Sequence, residues 1–154
     1  MIKKISLIIL FLFTTSCGYE AMHTKKNRDN FSFSIKKLYF EGDKIVNLKI
    51  KRKLDPYKKQ IHDKNFIIRI NTSSKKIILA KNATGNTTAF SNKITVAVEV
   101  SGRNITQNNL IFIETFNYDN TTNKFLLKSY EREIKNNLAE TITKRLIFGL
   151  SNIQ

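Results

Sequence analysis

The side chains of this sequence best suited to catalysis or metal binding are one thiol, two imidazoles and twelve carboxylates. The thiol is Cys17, in the stretch FLFTTSCGYE (residues 11–20), behind an oily run and ahead of Gly18. A lone cysteine cannot close an internal disulfide. Its upstream neighbours Thr14, Thr15 and Ser16 are small, and small side chains suit a peptidase pocket. The imidazoles, His23 and His62, have no second ligand at metal spacing. Glu41, Asp43, Asp55 and Asp63 are scattered without a pairing pattern, and no Gly-rich phosphate loop is present. The expectation is a protein that is not an enzyme and carries neither metal nor cofactor.

The amino terminus gives Cys17 its context. MIKK is short and basic, and ISLIILFLF (residues 5–13) is an uninterrupted apolar run. Nine residues are too few to span a bilayer, which takes about 20. A basic start, a short apolar core and small residues before a cut are the parts of a secretory signal. The stretch resembles the lipobox of bacterial lipoproteins, although Thr14 stands where Leu is usual. That resemblance implies a signal peptide over residues 1–16, lipidation of Cys17, and a lipidated tether over residues 17–30. Gly18 in place of Asp after the cysteine resembles outer-membrane sorting, with the protein held on the periplasmic side through its amino-terminal lipid. If Cys17 carries lipid, no thiol nucleophile remains.

The formal net charge is +15, with a sequence pI near 10.0. Loss of Lys3 and Lys4 with the signal leaves about +13. Such a charge fits an anionic partner. Heavy use of Lys, Asn and Ile is equally what an AT-rich genome produces. A secretory signal and the lack of a basic–aromatic platform argue against nucleic acid.

Residues 31–154 read as a single domain. FSFSIKKLYF (31–40) alternates as a strand with a bulge at Lys36–Lys37, and EGD is a turn. Residues 44–62 read as a helix with Val46, Ile50 and Leu54 on one face and a kink or break near Asp55–Pro56. NFIIRIN is a strand that passes a polar turn into KKIILAK; KITVAVEV (93–100) and NNLIFIETFNY (108–118) pair across SGRNITQ. The closing segment, 122–150, reads as a long helix with Leu126, Tyr130, Ile134, Leu138, Ile142 and Leu146 as its apolar stripe. Its intrahelical pairs are Glu131–Lys135 and Glu140–Lys144, and Gly149 is its stop. The fold class is α+β: a two-layer sandwich with an antiparallel sheet of about four strands and two helices on one face.

This order, after such a signal, resembles the LPS-assembly lipoprotein family (LptE). SCGYEAM resembles the family's opening. NYDNTTNKFLLKSYEREIKNNLAETITKRLIFGL resembles its closing segment, through Tyr118, Asp119, Asn123, Phe125 and Glu131. Pro56 in the first helix departs from the family pattern. The resemblance implies an outer-membrane lipoprotein that plugs the LptD β-barrel and assists assembly of lipopolysaccharide at the cell surface. It implies basic contacts to lipid A and core phosphates. Candidates are Lys75 and Lys76 at the polar turn, Lys81, Lys93 and Arg103, because they flank strand ends. The alternative is an auxiliary lipoprotein of an envelope ABC-type transport system.

Overall fold

The computed structural model describes residues 33–102 and 105–153. The signal peptide, the tether, Cys17 and Arg103 lie outside the described residues. Strand β1 (Phe33–Gly42) is followed by helix α1 (Lys44–Leu54) and a 3-10 turn (Asp55–Lys59). Strands β2 (Lys64–Lys81), β3 (Thr87–Gly102) and β4 (Ile105–Asp119) come next, and helix α2 (Lys124–Ser151) closes the chain. The four strands lie in sequence order in one sheet. Both helices pack on one face, so the fold is α+β in two layers. Among the described residues no helix is long and apolar enough to cross a membrane.

Strand alternation sorts the sheet's two faces. Phe66, Ile68 and Ile70 of β2 and Ile94, Val96, Val98 and Val100 of β3 point into the helical layer and are buried. They meet Val46, Ile50 and Leu54 of α1 and Ile134, Leu138, Ile142, Leu146 and Leu150 of α2. The bulge expected at Lys36 is present: Ile35 pairs with Phe66, but Lys37 pairs with Ile67. The extra residue shifts the phase, so Phe33 and Ile35 before it and Leu38 and Phe40 after it all reach the core.

One strand pair departs from the antiparallel expectation. β1 and β2 are parallel, so the sheet is mixed, while β2–β3 and β3–β4 are antiparallel. The cause is the helical connection: α1 and the 3-10 turn carry the chain back to the end where β1 began, as a parallel pair requires. The break near Asp55 is present, with Pro56 at the start of the 3-10 turn.

The polar stretch between NFIIRIN and KKIILAK is not a turn. β2 runs unbroken for 18 residues, because every residue from Thr72 to Ile78 finds a partner on β3. The long helix also differs in phase. Leu127 is buried, whereas Leu126 and Tyr130 are 57% and 44% exposed. A repeat of four overshoots the helical turn by about 40° per step, so Leu126 ends up roughly opposite Leu146. Gly149 does not stop α2, which continues to Ser151.

Candidate functional site

The site begins where β1 leaves the sheet. Gly42 has φ +93, a conformation that L side chains rarely adopt, and a Cβ there would stand 1.8 Å from the Thr72 carbonyl oxygen. Asp43 then caps α1 by accepting from the amides of Ile45 and Val46. The Thr72 hydroxyl donates to Asn47 Oδ1 at 2.8 Å and lies 3.2 Å from the Glu41 carbonyl oxygen. The chain is therefore pulled off the sheet at Thr72. Beyond that point β2 pairs with β3 alone.

On this extension Lys75 lies directly opposite Lys93, and Lys93 lies opposite Thr115 of β4. Both lysines occupy the sheet face away from the helices, since the buried positions of β2 and β3 have the other parity. Lys75 is exposed and Lys93 half-buried. Among the described residues neither forms an ion pair, although eight ion pairs form elsewhere. Directly opposed residues have Cβ atoms about 5 Å apart, and like charges so placed repel. A phosphate or diphosphate would relieve that repulsion through charge-assisted hydrogen bonds. The same face carries exposed apolar side chains at Ile77, Ile111 and Ile113. Two unpaired ammonium groups beside an apolar strip suit an anionic amphiphile.

The other lysines singled out in the sequence divide from this pair. Lys76 points the opposite way. Its ammonium pairs with Glu131 of α2 and sits 3.7 Å from the centre of the Phe90 ring. Glu131 also accepts from the Tyr118 hydroxyl at 2.9 Å. Burial, then this hydrogen bond and the carboxylate charge, hold the Tyr118 hydroxyl well above the ordinary phenol range. Lys76 thus docks α2 onto the sheet. Lys81 is exposed at the end of β2, opposite Thr87. It lies six positions along the strand from Lys75, or about 20 Å. Of the candidates among the described residues, the structure brings together Lys75 and Lys93.

A second cationic patch escaped sequence reasoning. A cleft of about 540 Å³ is lined by Ile45, Phe125, Lys128, Glu131, Arg132 and Lys135. Lys135 is bound to Asp43 at 3.0 Å, whereas no ion pair of Lys128 or Arg132 is found among the described residues. The four-residue spacing of Lys128 and Arg132 is the signal that could have found it. Among the described residues no group of three or more His, Cys, Asp or Glu side chains could hold a metal ion.

The fold recurs in solved structures. The rare lipoprotein B from Shewanella oneidensis superposes with a TM-score of 0.55 at 17% identity, over 75% of this chain and 97% of that one. A protein of Caulobacter crescentus CB15 described as a lipoprotein gives 0.51 at 9% identity, over 74% and 87%. At such identities the likeness is one of fold. No protein-family model matches the chain, and no curated protein sequence matches it.

Proposed function

We propose that this chain is a lipoprotein anchored to the periplasmic side of the outer membrane through Cys17, where it binds and plugs an LptD-like β-barrel. It assists the assembly of lipopolysaccharide, and its role is binding and not catalysis. The observation that carries the reading is the coincidence of two independent features. One is the basic–apolar–small run ending in Cys17. The other is a two-layer fold that is similar to structures described as lipoproteins. Lys75 and Lys93 are the residues that would hold a lipid A phosphate.

The test is a pull-down from detergent-solubilised membranes through a carboxy-terminal tag, with the partner identified by mass spectrometry. Recovery of one large outer-membrane barrel in near-equal amount is expected. Deletion of the gene should also lower the barrel's level and the surface lipopolysaccharide. An inner-membrane ABC-type complex in the eluate, with normal barrel levels in the deletion strain, would sink the barrel reading.

A further inference from the structure

We infer that the outer edge of β2 over residues 73–81 is a strand-addition site for an extended segment of another protein that alternates acidic and apolar side chains. Pairing of β1 with β2 ends at Gly42–Thr72, while pairing of β2 with β3 continues to Lys81–Thr87. Among the described residues, nine residues of β2 therefore form a free edge. In an antiparallel pair, alternate backbone N–H and C=O groups point away from the partner. Among the described residues no backbone hydrogen bond from outside the sheet takes these up. Such an edge is a template for another strand.

The side chains select the occupant. Ile77, Ile78 and Leu79 are 43%, 52% and 49% exposed on this edge, although apolar residues on a free edge invite pairing. The segment SSKKIILAK contains three lysines and no acid, and Lys93 lies beside Lys75 on the next strand. A second copy of the chain is disfavoured, because each copy carries a formal +15. An incoming strand with carboxylates at alternate positions places them on the face of Lys75 and Lys93, and its apolar residues on the opposite face beside Ile78. Strand β4 is the sheet's other edge, but its Glu114 is already bound by Arg145 of α2. The edge is fixed by Gly42 and Thr72, so the inference stands whether or not the barrel reading holds.

The experiment is hydrogen exchange on the full chain in detergent, with two blocked nine-residue peptides as probes. One alternates Glu and Val, and its twin has Lys in place of Glu. The Glu peptide should slow amide exchange over residues 73–81 by roughly ten-fold or more, less at high salt, and the Lys twin should not. The substitution Ile78→Asp, which sets a carboxylate against the peptide's apolar face, should abolish the effect, while Ile78→Val should retain it. Equal slowing by both peptides, slowing confined to β4, or no slowing would each overturn the inference. So would protection of residues 73–81 without peptide that grows with protein concentration, which assigns the edge to a second copy.

Discussion

At the scale of single residues, two glycines make opposite demands. Gly42 combines a positive φ with backbone contact, so Gly42→Ala must push its Cβ against the Thr72 carbonyl and strain its own backbone. The expected loss is about 3 kcal/mol or more, read as a lower urea midpoint. Gly149 lies inside α2, where an added Cβ would stand 3.5 Å from Leu110 Cδ1, an ordinary contact. Gly149→Ala should therefore raise the midpoint, by up to about 1 kcal/mol from helix propensity. A gain from Gly42→Ala would show that the exit of β1 at Thr72 is not fixed as described. Both residues look alike in the sequence. Only the φ and the approach of Thr72 separate them, and these depend on which strand β1 pairs with.

At the scale of elements, α1 is fixed at its start by Asp43 and along its length by Glu140. Burial pushes the Asp43 carboxyl up, but the Val46 amide, the Lys135 ammonium and the Ile45 amide together hold it below the ordinary aspartate range. A depressed folded pKa contributes stability that is present above the unfolded value and is lost as pH falls through the folded one. Stability should thus decline below about pH 4, in part through this group. Asp43→Asn keeps a capping oxygen but no charge, so the acid limb of the pH–stability curve should flatten. Asp43→Ala also loses the cap and should cost about 1–2 kcal/mol at neutral pH. Denaturant melts at pH 3 to 7 check both; an unchanged acid limb in Asp43→Asn would remove Asp43 from the account. Glu140 belongs to the same limb, since its hydrogen bond from Lys49, opposed by burial and aided by Lys53, lowers its carboxyl too.

Much of this level was legible in the sequence. The bulge at Lys36, the break at Asp55 and the buried set Val46, Ile50 and Leu54 follow from period and proline alone. What was hidden depends on partners distant in the chain. Strand pairing to β3 overrides the turn-like polarity of residues 72–76. Glu131 and Lys135 satisfy the four-residue rule, yet Glu131 turns to Lys76 and Tyr118 and Lys135 to Asp43. Of the candidate lysines, the sequence marked Lys75 and Lys93 but not that they face each other, since cross-strand register cannot be read from either strand alone.

At the scale of the whole molecule, the question is whether a charge of +15 is a site or a composition. Stability and binding should separate the two with opposite signs at Lys75. Lys75→Glu replaces a like-charge pair across the strands with an opposite-charge one beside Lys93, so the fold should gain about 0.2–1 kcal/mol. The same change removes one of the two ammonium groups offered to a phosphate, so affinity for lipopolysaccharide should fall severalfold. The salt dependence of binding should become shallower as well. Lys59→Glu supplies the control, because it changes the net charge equally from an exposed position on the 3-10 turn. Titration of lipopolysaccharide into Lys75→Glu, Lys93→Glu and Lys59→Glu, at two ionic strengths, reads all of this. Weakening at Lys75 and Lys93 with little effect at Lys59 assigns the charge to a site. Equal weakening at all three positions would mean that the molecule attracts the lipid by its overall field, and that the facing lysines are one part of a basic surface.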